Sequence, residues 1–225
     1  MIKAVIIDID NTLLDFDKSS NKAIELAHKS QNLEFNDKIL QEFLKITSKF
    51  WAKIEKGEIT RETLYKNRWK EIYANLKIDA DGPTTETLYR KLLYDCVFTI
   101  DGASEILEYL SKKYVVCVAS NAPYNQQVAR LKKIGFDKYI NHVFISEEIG
   151  SDKPNAKFFD VCFSRLSPII PAESVIIGDS LSADILGGKN YGLKTCWFDL
   201  KNTLDDRGIN PDWTINKLIE IKNIL

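Results

Sequence analysis

Four short stretches of this chain carry side chains with chemical potential: Asp8-Ile9-Asp10-Asn11-Thr12, Ser120-Asn121, Lys153-Pro154, and Gly178-Asp179 with Asp184 five residues on. Asp8 and Asp10 stand two apart, so in an extended chain both side chains point the same way, with Cα atoms about 6.6 Å apart. Like charges that close repel unless a proton or a cation intervenes. With Asp179 they form an all-oxygen donor set free of His and Cys, and the natural guest is a hard cation of the Mg²⁺ type. A D-x-D-x-T pattern alone more often closes a strand with an Asx turn. Its place directly after an apolar run, with the other groups at matching run ends, favours a site instead. Lys153 precedes a helix start, where the macrodipole disfavours a cation, and neighbouring carboxylates or a phosphate would account for it. Ser120 serves equally as a turn residue or as a hydroxyl that, with the following backbone N–H groups, binds phosphate oxygens. Asp184 suits the first turn of a helix with or without chemistry.

These residues need a scaffold. Five β-rich runs recur, Ile2–Ile7, Tyr114–Ala119, His142–Ile145, Ser174–Ile177 and Lys194–Phe198, each short and almost wholly apolar. Such runs read as strands buried on both faces of a parallel sheet. Helical patterns fall between them at Ala103–Lys112, Asn125–Ile134, Ala156–Leu166 and Ser182–Tyr191. Strand–helix alternation predicts a doubly wound, Rossmann-like α/β core, in which ligands bind outside the carboxyl ends of the strands. That edge is where the four stretches above fall. Residues 16–92 break the rhythm with helical periodicity alone, through Ile39, Leu40, Phe43, Leu44, Phe50, Trp51 and Ile54, then past Gly57 through Leu64, Trp69, Ile72, Tyr73 and Leu76, with a second break at Gly82-Pro83. The division expected is therefore an α/β core of residues 1–15 and 93–225 with an all-helical insertion at 16–92.

Composition removes several alternatives. With 31 Lys and Arg against 32 Asp and Glu, no basic field exists to hold a nucleic acid polymer or an anionic membrane surface. The apolar runs are too short to span a bilayer, and a strand-like run starting at Ile2 leaves no room for a secretion signal. The four cysteines, Cys96, Cys117, Cys162 and Cys196, contain no C-x-x-C pair and read as buried reduced thiols of a cytoplasmic protein. The two histidines, His28 and His142, are isolated, which argues against zinc and against Ser-His or Cys-His catalysis.

The same four elements, DIDNT at 8–12, Ser120 in VASNA, Lys153 in SDKPN and GDSLSAD at 178–184, resemble in order and context the haloacid dehalogenase superfamily, with the helical insertion resembling its C1 cap. The resemblance implies an aspartyl-phosphate mechanism. Asp8 would attack phosphorus, and Asp10 would protonate the leaving oxygen and then activate water. Thr12, Ser120, Asn121 and Lys153 would hold the phosphate. Mg²⁺ would be held by Asp8, Asp179 and the main-chain carbonyl of Asp10, with Asp184 behind, orienting Lys153 or reaching the metal through water. Family members that displace halide lack an acid at the place of Asp10, because halide needs no proton, so phosphoryl transfer is favoured over dehalogenation.

Finer features, GEITRETL at 57–64, ISEEIGSDKPN at 145–155, DILGGKNYGLKTCWF at 184–198 and Trp213-Thr214, are similar to the pyrimidine 5′-nucleotidase branch. Where that branch commonly carries Thr-Asn-Gly, this chain has Ser120-Asn121-Ala122, which keeps the hydroxyl and adds a methyl group on the leaving-group side. The substrate implied is a small phosphorylated metabolite, a pyrimidine nucleoside 5′-monophosphate first, taken by a monomer or homodimer. A sugar-phosphate phosphatase and a phosphomutase of the same superfamily are the alternatives. Trp51, Tyr65, Trp69 and Tyr73 of the insertion would suit base stacking, yet their helical spacing equally suits a core.

Overall fold

The computed structural model describes residues 1–203 and 208–225. The chain divides into two compact units, Met1–Phe16 with Val97–Leu225, and Asp17–Cys96.

The first unit is built on six parallel strands in the order β3-β2-β1-β4-β5-β6: β1 (Ala4–Ile7), β2 (Val115–Ser120), β3 (His142–Ile145), β4 (Ser174–Gly178), β5 (Lys194–Phe198) and β6 (Trp213–Ile215). Five are the expected runs. The sixth is a three-residue edge strand, too short for an alternation signal. Side chains of β1 alternate between two apolar layers, as the two-residue period of a strand requires. Val5 and Ile7 enter one cluster with Ile106, Leu107, Leu110 and Leu131, and Ile6 enters another with Phe144, Phe158, Phe159 and Cys162. Helices α5 (Ala103–Ser111) and α6 (Tyr124–Lys133) serve the first layer, and α8 (Ala156–Leu166) the second. A sheet covered on both faces explains why its strands read as unbroken apolar runs.

The helix expected over Ser182–Tyr191 is instead a π-helical turn, Leu181–Leu186, followed by the short α9 (Gly187–Tyr191). Short α7 (Ser146–Ile149) follows β3.

The second unit holds α1 (Phe16–Ser30, entered from the first unit), α2 (Asp37–Glu55), α3 (Arg61–Leu76) and α4 (Gly82–Leu92). Asn36 caps α2 by accepting from the backbone N–H groups of Lys38 and Ile39, and Thr60 caps α3 through Thr63. Gly57, at φ 71°, adopts the left-handed backbone that separates the two helices. Gly82-Pro83 opens α4 rather than merely breaking the chain, since proline is tolerated in a first helical turn where its missing N–H costs nothing. Phe43, Trp69, Ile72, Tyr73 and Tyr89 make the core of this unit. Within it Arg68 meets Glu86 in a buried pair, Nη2 to Oε1 at 2.7 Å and Nε to Oε2 at 3.1 Å, with the guanidinium over the rings of Phe43 and Tyr89.

Candidate active site

At the carboxyl edge of the sheet, β1 delivers Asp8, β4 delivers Asp179, and the π-helical turn after it swings Asp184 back toward both. One carboxylate oxygen from each lies within 4.8 Å of the others. The close return is built into Gly178, where a Cβ would overlap the Asp184 carboxylate. Asp8 and Asp184 are buried and Asp179 half-buried.

Lys153, 1% exposed, lies against this cluster. Its Nζ donates to Asp8 Oδ1 at 2.8 Å, Asp184 Oδ1 at 2.6 Å and the Ala119 carbonyl at 2.7 Å, which uses all three N–H bonds. The Ser180 backbone N–H donates to Asp184 Oδ2 at 3.2 Å, and Trp197 Nε1 holds the Asp179 carbonyl at 2.9 Å. Three carboxylates around one ammonium leave an excess of negative charge in a place with little water. Burial pushes Asp8 up to about 7, against the pull of Lys153 and with a further push from Asp184. Burial, then Asp8 and Asp184, push Asp179 well above the usual carboxylate range. Burial pulls Lys153 down, yet the charges of Asp184 and Asp8 outweigh it and hold the ammonium above its ordinary value. A hard divalent cation fits this donor set, because every donor is oxygen and the charge is unbalanced in its favour.

Asp10 does not join the cluster with its side chain. The chain curls at Ile9, whose carbonyl accepts from the N–H groups of Leu13 and Leu14, and Asn11 turns through φ 60°. The Asp10 carboxylate instead accepts from Arg130 Nη1 (Oδ1, 2.6 Å) and from Gln127 Nε2 (Oδ2, 2.6 Å). Both donors come from α6, and no motif of the chain marks them. A signal existed: Gln127 and Arg130 continue, at i, i+3 and i+4 spacing, the buried face that Leu131 occupies, so two long polar side chains point inward.

The other expected groups are placed as follows. Ser120 ends β2, buried, with Oγ accepting from Gln127 Nε2 at 2.9 Å. Asn121 forms a reciprocal amide pair with the Lys153 backbone, Nδ2 to the carbonyl at 2.8 Å and the N–H to Oδ1 at 2.9 Å, which ties the end of β2 to the lysine's turn. Thr12 is fully buried, and its hydroxyl has no hydrogen-bond partner among the described residues. All four cysteines are buried, as expected. His28 is buried and satisfied, between the Glu34 carbonyl and the Tyr73 hydroxyl. Of the aromatics weighed for stacking, Trp69 and Tyr73 are buried in the helical unit, and half-buried Tyr65 carries Arg90 over its ring at 4.0 Å.

The model of the family described as haloacid dehalogenase-like hydrolase matches residues 2–192. The chain belongs to that family. It is an enzyme, a hydrolase. Curated relatives include the HAD-hydrolase YfnB of Bacillus subtilis, 31% identical over 99% of this chain and 95% of that protein. The pyrimidine 5′-nucleotidase PynA of Streptococcus pneumoniae is 29% identical over 99% and 97%, and the pyrimidine 5′-nucleotidase YjjG of Escherichia coli 27% over 98% and 96%. The crystal structure of YfnB, bound to magnesium, superposes with a TM-score of 0.93 over 100% of this chain and 98% of that one, at 30% identity. Among the described residues, no helix is long and apolar enough to cross a membrane.

Proposed function

We propose that this hydrolase is a Mg²⁺-dependent phosphomonoesterase that works through an aspartyl-phosphate and takes pyrimidine nucleoside 5′-monophosphates as its preferred substrates. The observation that carries this is the separation of two kinds of carboxylate at one sheet edge: Asp8 inside the charge-rich cluster with Lys153, Asp179 and Asp184, and Asp10 outside it on its own donors. A nucleophile and a proton donor must be held separately, and these two carboxylates have different partners. The names of PynA and YjjG, which align over nearly the whole chain, support the substrate class.

In this reading Asp8 forms a bond to phosphorus as the ester P–O bond breaks, and Asp10 gives its proton to the departing oxygen. Asp10, now a base, takes a proton from water as the water oxygen attacks phosphorus, which releases inorganic phosphate and restores Asp8. Lys153 favours the ionised form of Asp8 and aims it while neutralising charge on the non-bridging oxygens, joined by the Ser120 hydroxyl. Asp8, Asp179 and the main-chain carbonyl of Asp10 would hold Mg²⁺, with Asp184 behind, and the cation supplies electrostatic stabilisation of the same oxygens. Substrate choice is assigned to the helical unit, Asp17–Cys96, as a cap.

Phosphate release in Mg²⁺ across UMP, dUMP, dTMP, purine monophosphates and sugar phosphates tests this. A preference for pyrimidine monophosphates is expected. Release from sugar phosphates alone would discard the nucleotidase assignment and keep the chemistry. No release from any of them would sink the phosphomonoesterase itself.

A further inference from the structure

Gln127 and Arg130 lie away from the metal-type cluster, and the chemistry proposed above has no task for them. Both are fully buried, a costly place for an amide and a guanidinium unless their hydrogen bonds are specific. Their bonds form one closed network. Arg130 Nη1 donates to Asp10 Oδ1 at 2.6 Å and to Gln127 Oε1 at 2.9 Å. Because Oε1 faces the guanidinium, Nε2 must face the other way, and its two N–H bonds go to Asp10 Oδ2 at 2.6 Å and Ser120 Oγ at 2.9 Å. The opposite amide orientation would set Oε1 against the Asp10 carboxylate and an N–H group against the guanidinium, so the network fixes it. Among the described residues Arg130 Nε and Nη2 find no hydrogen-bond partner, and the guanidinium lies 5.7 Å from the centre of the Phe16 ring. A buried arginine that leaves two donors unpaired and still spends its best bond on Asp10 is retained for that bond.

We infer that Gln127 and Arg130 are positioning residues for the general acid, and that Gln127 also sets the Ser120 hydroxyl as a donor. The inference rests on the phosphomonoesterase reading, in which Asp10 is that acid. With one donor on each oxygen, the Asp10 carboxyl cannot rotate about χ2 without breaking a charge-assisted bond. At Ser120, Gln127 fills an acceptor lone pair, so the hydroxyl hydrogen is directed elsewhere, toward an acceptor such as a phosphate oxygen. One amide thereby registers the proton donor against the phosphate-holding hydroxyl. Misplacing a catalytic group by about 1 Å costs on the order of 10²-fold, so such a registry is worth its burial.

The two residues predict different kinetic signatures. The test compares, in Mg²⁺, an ester with a poor leaving group, a nucleoside 5′-monophosphate, with p-nitrophenyl phosphate, whose leaving group needs little protonation. Asp10→Asn should slow release of the leaving group in a single turnover selectively on the first, a rate that the later attack of water on the shared aspartyl-phosphate does not enter. Arg130→Lys should do the same, by about 10- to 100-fold on the nucleotide and under about 3-fold on the activated ester, with KM unchanged. Gln127→Met should show that split in the single-turnover rate and, through Ser120, a rise in KM shared by both esters. In an Asp10→Asn background, Gln127→Met should cost the single-turnover rate no further than about 3-fold, because the acid it positions is gone.

Equal losses of the single-turnover rate on both esters, or full additivity with Asp10→Asn, would reduce these residues to structural support and overturn the inference. If Gln127→Met does not fold, Arg130→Lys, which keeps the charge and a donor, decides alone on the same split. Should Asp10→Asn itself lose both esters equally, the general-acid assignment falls and the inference with it. Selective loss in Asp10→Asn without it in the α6 variants would sink the inference alone.

Discussion

In the helical unit, Arg68 and Glu86 face each other as a two-pronged fork, one cation to one anion, between the rings of Phe43 and Tyr89. In the α/β unit, Lys153 faces Asp8 and Asp184 with Asp179 beside them, one cation to three anions. Both clusters are taken out of water at considerable cost. Burial raises Glu86 against the pull of Arg68, so even the matched pair does not recover all of its desolvation. The unmatched cluster fares worse and keeps an unfilled demand for positive charge. A balanced buried pair is complete within the protein, whereas an unbalanced one is complete only with something bound.

The largest expected effect breaks the contrast at its functional end. Asp8→Asn should lower turnover by at least about 10⁴-fold, since an amide is a poor nucleophile and a weak ligand for a hard cation. The amide oxygen still accepts from Lys153, and one source of repulsion is gone. Without divalent cations the melting temperature should therefore hold or rise. A marked fall would show that the cluster is structural after all. Glu86→Leu should behave in the opposite way. It strands Arg68 in an apolar core and should cost about 3–5 kcal/mol by denaturant unfolding. The double change Arg68→Met with Glu86→Leu should recover most of that loss, because removing both charges also removes both desolvation costs. If the double variant is no more stable than Glu86→Leu alone, the pair is held by more than its own balance.

How much of this was legible in the sequence depends on how local the cause is. Strands β1 to β5 announce themselves because a sheet covered on both faces needs apolar residues at every position. Strand β6 does not, because three residues at an edge carry no period. Asp8, Lys153, Asp179 and Asp184 are legible as a set because parallel strands bring their carboxyl ends to one edge. The company Asp10 keeps is not. Its carboxylate is held by donors 117 and 120 residues away, and neither a two-residue period nor a helical wheel reports on a partner in another element. The π-helical turn is hidden for a related reason. Ser182–Tyr191 has an ordinary helical pattern, and what widens its first turn is where the Asp184 side chain must go, beside a Gly178 that has no room for a Cβ.

The smallest effect sharpens the comparison through pH. In the folded chain without a divalent cation Asp8 titrates near 7, mainly because it is buried, while in the unfolded chain it returns to about 3.8. Between those values the folded state binds more protons than the unfolded one. Stability in the absence of metal should therefore fall as pH rises from about 4 to about 7, in contrast to the usual gain of stability as carboxylates ionise. A cation competes with those protons, so Mg²⁺ should stabilise wild type more at pH 8 than at pH 5.5. The increment should be about 1–3 kcal/mol at concentrations well above its dissociation constant. Melting curves at the two pH values, with Mg²⁺ or with a chelator, measure it directly. Asp8→Asn isolates this group from every other one that titrates in the range, and in that variant the difference between the two pH values should shrink. Glu86 is raised in the same direction but lies beside its own arginine, so Glu86→Leu should leave the Mg²⁺ increment as in wild type, however much it lowers the baseline. An increment equal at both pH values, or unchanged in Asp8→Asn, would mean that the excess charge of the cluster is not what a cation answers.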